Sequence, residues 1–191
     1  MRSEWQGSAP TGDVRGGLLA RAGFVMLDLL LLPSLLVAVW WVRGRESVIL
    51  RDGKPLDAAQ LAMARAVGVA APERVRVMAA ARVAMPLPST MRRLAERLGW
   101  LSPHIAGMTL GYGIVLRADC RDDPRLLAHE LAHVTQYERY SSRTGQGPYA
   151  GFLRRYLREC VRPGYPHGPL EAEARRAEAV AALYSRSEGG M

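Results

Sequence analysis

Residues 122–136 read DDPRLLAHELAHVTQ, and they predict the element around which the fold is built. Asp123 can cap a helix, and Pro124 suits the first helical position because its φ is preset and it lacks an N–H. We expect this helix to run from about Pro124 to about Tyr140. Apolar residues recur at helical spacing and predict a buried stripe, which consists of Leu127, Leu131 and Val134.

The same helix carries the pattern His-Glu-x-x-His. His129 and His133 are four residues apart, so they share one face of the helix, opposite the apolar stripe. Two imidazoles at this spacing can bind one zinc ion, and Glu130 between them can act as a general base on water. The non-functional alternative is a surface helix with two solvated histidines. The apolar stripe opposite the histidines instead favours a helix that lines a cleft.

Catalytic zinc sites use three protein ligands and keep one position for water, so the motif requires a third ligand. Pro169 is suited to open a second helix, with Glu171 in its first turn. Glu173 would point almost the opposite way around that helix, so only one of the two glutamates can face the metal. His167, in a loop rich in proline and glycine, is the remaining alternative.

The chain from about Arg74 to Ala182 resembles the gluzincin metallopeptidases. In that family His-Glu-x-x-His is followed by a second helix that gives a glutamate ligand, often within Glu-x-x-Ala-Asp. Residues 171–175 read EAEAR, which matches except that Arg175 replaces the aspartate. Residues 129–136 are also similar to the small, minigluzincin-like members.

The resemblance implies a zinc ion, Zn2+, on His129, His133 and Glu171, with Glu130 as the general base. In the family pattern the aspartate commonly supports a histidine ligand. With Arg175 in its place, we expect another residue or a backbone carbonyl to orient that histidine.

Residues 107–117, GMTLGYGIVLR, alternate between apolar and small residues and predict one strand. Its second face is nearly bare and contains Thr109, Gly111 and Gly113. The family resemblance implies an edge strand beside the active-site helix that pairs with extended substrate. We therefore expect these three residues to bind a peptide or protein substrate in extended conformation. The alternative is an ordinary sheet strand with a bulge.

The remaining signals predict an α+β fold in which a small sheet packs on the motif helix and further helices. Residues 74–79 alternate as a strand, and Asp57 opens a capping box with Gln60 for a helix to about Gly68. Further helices are predicted from Ser89 to Leu98 and from Phe152 to Val161. Together these elements predict one metallopeptidase-like domain over residues 55–188.

The N-terminal third is hydrophobic. Residues 23–42 contain one charge, Asp28, and are long enough to cross a hydrocarbon layer of about 30 Å as a helix. Trp40 and Trp41, followed by Arg43 and Arg45, fit a membrane interface. We expect a disordered tail over 1–16 and a transmembrane or hydrophobic helix over 17–45.

This segment predicts a single-pass membrane protein of the bacterial inner membrane, with lipid contact through residues 23–42 and the side of the domain undetermined. A cleavable signal peptide is disfavoured because no small-x-small pattern follows the apolar run. The alternative is an amphipathic or buried hairpin that packs on the domain or in the interface.

The composition is basic, with 26 Lys and Arg against 18 Asp and Glu and a net charge of +8. The arginines are scattered and no nucleic-acid motif is present, so no nucleic-acid partner is expected. Abundant arginine, alanine and glycine are typical of a GC-rich bacterial genome.

The sequence thus predicts a membrane-anchored zinc-dependent peptidase. The alternative is a non-catalytic zinc-binding membrane scaffold derived from a peptidase fold. A third interpretation is a membrane partner protein in which the motif is coincidental.

Overall fold

The structure is a computed structural model that describes residues 35–83, 93, 97, 105–144, 149–159 and 167–184. The helices are α1 (35–52), α2 (Ala58–Val67), α3 (Pro124–Thr144), α4 (Ala150–Glu159) and α5 (Pro169–Tyr184). The strands are β1 (Lys54–Pro55), β2 (Arg76–Ala80), β3 (Gly107–Leu110) and β4 (Gly113–Arg117), and a 3-10 turn spans Pro72–Arg74. The predicted α+β class is confirmed.

The four strands form one mixed sheet in the order β1-β2-β4-β3. Strand β2 runs parallel to β4, whereas β1 and β3 are antiparallel to their neighbours. Among the described strands β3 therefore lies at an edge of the sheet, and its Met108 pairs with Val115 of β4.

The motif helix begins as predicted. Asp123 Oδ1 accepts a hydrogen bond from the backbone N–H of Arg125 at 2.9 Å, and the helix begins at Pro124. It extends to Thr144, a full turn past the predicted end near Tyr140. The predicted apolar stripe is buried, and its members are Leu127, Leu131 and Val134.

The predicted starts of helices α2 and α5 are confirmed. The Asp57–Gln60 capping box is present in both directions, and α2 ends at Gly68 in the left-handed conformation. Helix α5 begins at Pro169 as predicted. Helix α4 spans Ala150–Glu159 rather than 152–161. The predicted helix 89–98 lies outside the described residues apart from Arg93 and Arg97, which are helical.

Each face of the sheet carries its own apolar cluster. Ile114 and Leu116 of β4 pack with Leu131 and the other buried residues of α2 and α3. The alternate residue Val115 belongs to the second cluster, together with Val42 and Ile49 of α1. The sheet therefore holds the motif helix in place on one face and α1 on the other.

The predicted single strand over 107–117 is wrong, because this stretch is a hairpin. Residues 111 and 112 form the turn between β3 and β4, and Gly111 has φ 66°, a left-handed conformation that favours glycine. The apolar pattern continues through the turn because apolar residues of both strands are buried, and β4 is buried on both of its faces.

The predicted bare glycine face is covered by α1. The Glu46 carboxylate lies against Gly111, and Glu46 Oε1 accepts a hydrogen bond from the Tyr112 N–H at 2.8 Å. A Cβ on Gly113 would lie 3.0 Å from Cβ of Ile49. These glycines give α1 room to approach the sheet, and the predicted substrate contact at Gly111 and Gly113 stays a prediction.

The predicted tail 1–16 and most of the predicted helix 17–45 lie outside the described residues. The last residues of the predicted span 23–42 form the start of α1, where Leu35 and Val42 are buried against the domain. Trp40 is exposed, whereas Trp41 is partly buried. None of the helices within the described ranges has the length and apolar character needed to cross a membrane.

Candidate active site

Three side chains converge between α3 and α5. His129 and His133 come from one face of α3 and Glu171 from the first turn of α5, and a ligand atom of each lies within 4.8 Å of the others. Nε2 of His129 is 3.4 Å from Glu171 Oε2, and Nε2 of His133 is 3.5 Å from Glu171 Oε1. Ligand atoms around a tetrahedral metal with bonds of about 2.0–2.1 Å are separated by about 3.3 Å. The cluster can therefore hold a metal ion with little movement.

The structure also distinguishes the three alternatives for the third member. Glu171 is only 4% exposed and faces both histidines. Glu173 instead forms a salt bridge with Arg139 at 2.7 Å. His167 is exposed, and the cluster found among the described residues does not include it.

His129 is oriented by a carboxylate that the family pattern did not indicate. Its Nδ1 lies 3.0 Å from Oε1 of Glu178, so the ring can donate from Nδ1 and keep the Nε2 lone pair towards Glu171. Glu178 is seven residues after Glu171, two helical turns further along nearly the same face of α5. Glu178 thus takes the supporting role that an aspartate at position 175 has in the family pattern.

His133 is oriented by a buried amide. Its Nδ1 lies 2.9 Å from Oε1 of Gln136. The Gln136 Nε2 donates to the carbonyl of Leu170 at 3.0 Å and to Glu173 Oε2 at 3.3 Å, and both partners only accept. The amide oxygen must therefore face His133 and accept a hydrogen bond from its Nδ1, which leaves Nε2 as the His133 atom that faces Glu171.

The charges in the cluster favour cation binding. Burial lowers the pKa of His129, but its hydrogen bond with Glu171 and the nearby Glu130 and Glu178 outweigh that effect and raise it to about 9. Burial raises the pKa of Glu171, but the hydrogen bond from His129 and the charge of His133 bring it below its usual range. In the metal-free chain a proton on His129 thus partly takes the place of a bound cation.

Glu130 is buried at 4% exposure next to the cluster. Burial raises the pKa of its carboxyl, although the two histidines and a hydrogen bond from Thr109 oppose the rise. A raised carboxyl pKa suits a group that takes up a proton near neutral pH and later releases it. The burial and the raised pKa of Glu130 therefore suit the role of general base that the sequence predicts for it.

Thr109 forms hydrogen-bonding contacts with Glu130. The Thr109 hydroxyl lies 2.6 Å from Glu130 Oε2 and 2.9 Å from the backbone carbonyl of Glu130. Thr109 is buried, and these contacts position the Glu130 carboxyl. Thr109 also lines the cavity beside Glu130, and its predicted contact with substrate stays a prediction.

Gly107, the first residue of β3, leaves the space that Glu130 occupies. A Cβ at this position would lie 2.5 Å from Oε1 of Glu130. Glu130 thus contacts both the Thr109 hydroxyl and the position where Gly107 lacks a side chain.

Two adjoining cavities flank this cluster. One, of about 200 Å³, is mainly apolar and includes the three clustered residues and Glu130 among its lining residues. The other, of about 320 Å³, is more polar, and Asp123, Arg125 and Glu178 contribute to its walls. His129, Glu130 and Gly107 line both cavities, so the cluster lies where they meet.

A phenol from α4 completes the cluster. The Tyr156 hydroxyl donates to Oε1 of Glu171 at 2.9 Å. By sequence alone, Tyr112 and Tyr165 are also candidates to supply a phenol to the site. Tyr112 donates to Glu138 at 3.0 Å instead, and Tyr165 lies outside the described residues.

Sequence reasoning missed several supporting residues, namely Gly107, Gln136, Tyr156 and Glu178. Glu178 had a usable signal, because its spacing of seven from Glu171 places both on one helix face. Gln136 is on α3, three residues after His133, which is also a same-face spacing. No sequence signal indicated the roles of Gly107 and Tyr156, because these roles depend on tertiary contacts with α3 and α5.

The model of the eCIS core domain family matches residues 55–141. That domain is metallopeptidase-like and is found in extracellular contractile injection systems. The matched region runs from β1 into α3 and contains His129, Glu130 and His133, but neither α1 nor Glu171. No curated protein and no solved structure matches the chain. The similarity supports a peptidase-like or peptidase-derived fold.

Proposed function

We propose that this protein is a zinc-dependent peptidase of gluzincin type, in which Glu130 is the general base. The observation that carries the proposal is the convergence of His129, His133 and Glu171 beside a buried carboxyl. Two imidazoles and one carboxylate are a donor set that zinc uses in catalytic sites, and three protein ligands leave a position for water. When bound, zinc would supply a Lewis acid that acidifies water and polarises a scissile carbonyl.

The protein's own groups then perform the proton transfers. Glu130 takes a proton from the attacking water and passes it to the leaving amine, so the carboxylate is restored at the end of each turnover. Thr109 keeps the carboxyl facing the cluster, and the absence of a side chain at Gly107 leaves room for it. Glu178 and Gln136 hold the two imidazoles in the tautomer that ligation requires.

Strand β3 is the proposed binding site for the substrate backbone. It is an edge strand of the sheet, and residues 107–110 line the apolar cavity beside Glu130. An extended peptide can add to such an edge through main-chain hydrogen bonds. The proposed mode of binding is still the addition of substrate to an edge strand. The proposed contact is with residues 107–110 of β3, whereas the sequence predicted it at Thr109, Gly111 and Gly113.

The test is the substitution Glu130→Gln in the zinc-loaded full chain. Cleavage of a mixed peptide library, followed by mass spectrometry, should fall by at least a hundredfold because the amide cannot accept the proton. Zinc content should stay at the wild-type value because Glu130 is not among the clustered ligands. Glu173→Gln is the matched control and should retain both properties.

Wild-type rates in Glu130→Gln would contradict this mechanism. A wild-type chain that binds zinc and cleaves no peptide would instead favour the non-catalytic zinc-binding scaffold.

We also propose that residues 23–42 attach the protein to a lipid membrane. The outer face of α1 supports this, because Leu36, Val37 and Trp40 are 66%, 59% and 76% exposed. Flotation of the full chain with vesicles of bacterial lipid composition tests the attachment. A chain that stays at the bottom of the gradient would contradict it.

A further inference from the structure

Helix α1 precedes the region that the family model matches, yet it forms part of the active-site cavity. Ala38, Trp41 and Val42 line the apolar cavity of about 200 Å³ that also contains Glu130 and the clustered ligands. Phe152 and other residues of α4 also line this cavity. The space next to the site is therefore bounded by α1 as well as by the matched domain.

Specific contacts hold α1 in this position. Glu46 is buried and accepts hydrogen bonds from the Tyr112 N–H and from the Tyr149 hydroxyl. Ile49 is 1% exposed and packs where Gly113 lacks a side chain. The position of Trp41 and Val42 is thereby coupled to the β3–β4 turn.

The shape and chemistry of the cavity indicate what it can accept. Its lining is apolar except at the cluster, so an apolar group gains free energy by leaving water for it. A cavity of about 150 Å³ holds benzene, so one of about 200 Å³ accommodates a side chain the size of leucine or phenylalanine. A charged side chain placed against the apolar walls, away from the cluster, would lose hydration without gaining a partner.

We propose that α1 is the specificity element of the site, and that Ala38, Trp41 and Val42 form the wall of a pocket for one bulky apolar substrate side chain. The proposal rests on the proposed peptidase function and deepens it. Cleavage should then be preferred next to leucine, isoleucine, methionine or phenylalanine, and the residues of α1 should set the size limit.

The first test uses toluene as a probe of the metal-free full chain, followed by saturation-transfer NMR. Ala38→Leu fills the cavity and should weaken toluene binding at least tenfold. Trp41→Ala removes part of the wall and should weaken it several-fold. Trp40→Ala is the matched control, because its side chain is 76% exposed, and should stay within twofold of wild type.

Circular dichroism and thermal unfolding establish that each variant is folded. If Ala38→Leu fails to fold, the comparison of Trp41→Ala with Trp40→Ala still decides the result. Equal toluene binding by these two variants would overturn the proposal.

The second test compares cleavage of a peptide library by the zinc-loaded wild type and by Ala38→Leu. The variant should lose cleavage next to large apolar residues at least tenfold and keep cleavage next to alanine or glycine. An unchanged profile would overturn the proposal. Absence of cleavage by zinc-loaded wild type would contradict the proposed function, whereas the toluene result decides the role of α1 independently.

Discussion

Thr109 influences the pKa of Glu130 through a direct hydrogen bond, in addition to the larger effects of burial and of the two histidines. Its hydroxyl hydrogen bond favours the ionised carboxyl and so lowers a pKa that burial raises. In Thr109→Val the pKa should rise further, and the acidic limb of kcat/KM should move to higher pH. The measurement is the pH profile of peptide cleavage, with zinc content as a parallel readout.

Thr109→Ser is the matched control because it keeps the hydroxyl, and its acidic limb should remain at the wild-type pH. An acidic limb that does not move in Thr109→Val would show that Thr109 has no influence on the proton of Glu130.

His129 gives a second expectation, which concerns protons released on zinc binding. A pKa of about 9 means that the ring is protonated at pH 7 in the metal-free chain, whereas ligation requires the neutral ring. Glu171, whose pKa is lowered, is already ionised there. Zinc binding at pH 7 should therefore release about one proton from His129, and the affinity should increase as the pH rises towards 9.

Isothermal titration calorimetry in buffers of different ionisation enthalpy measures the released protons. Glu178→Gln removes a partner that raises the pKa of His129, so fewer protons should be released. Its zinc affinity should also fall by about 10–100-fold, because the ring loses its orienting carboxylate. No proton release in the wild type would contradict the assignment of His129 as a ligand.

At this scale the sequence predicted which three side chains cluster, but not the residues that support them. His129 and His133 follow from helical spacing alone, and the family resemblance selected Glu171 over Glu173. Glu178 was missed because the family pattern places the carboxylate that supports a histidine at position 175. The contact of Thr109 with Glu130 was not predicted because a strand pattern does not show which helix packs on its polar face.

At the scale of elements, Gly111 and Gly113 of the hairpin allow α1 to pack against the sheet. Gly111→Ala places an alanine at positive φ and a Cβ against the Glu46 carboxylate. We expect it to lower the free energy of unfolding by about 1–3 kcal/mol. Urea unfolding measures the change.

Gly44→Ala is the control, because Gly44 lies within α1 and a Cβ at this position would meet no atom within 4 Å. Alanine should stabilise that helix by about 0.5–1 kcal/mol. A Gly111→Ala variant as stable as the wild type would mean that α1 does not depend on this contact.

The helix starts were predictable because capping is local, as Asp57, Asp123 and Pro169 show. The hairpin was not, because apolar alternation continues across residues 111 and 112 and no polar turn residue interrupts it. The packing of α1 on the sheet was also not predictable from the sequence. The same apolar residues that favour a membrane segment, such as Leu35 and Val42, pack equally well against a protein.

At the scale of the whole molecule, the site joins parts that are far apart in the chain. Helix α3 gives His129, Glu130 and His133, α5 gives Glu171, and residues of β3 and α1 line the cavity beside them. The family model covers β3 and most of α3 but not α5 or α1. We therefore expect residues outside the matched region to complete a metal site within it.

Zinc per chain in the purified full-length protein tests this claim most directly, with Glu171→Ala and Glu173→Ala measured alongside. We expect one zinc in the wild type and in Glu173→Ala, and its loss in Glu171→Ala, because only Glu171 faces both histidines. Loss of zinc in Glu173→Ala with retention in Glu171→Ala, or no zinc in the wild type, would contradict the site described.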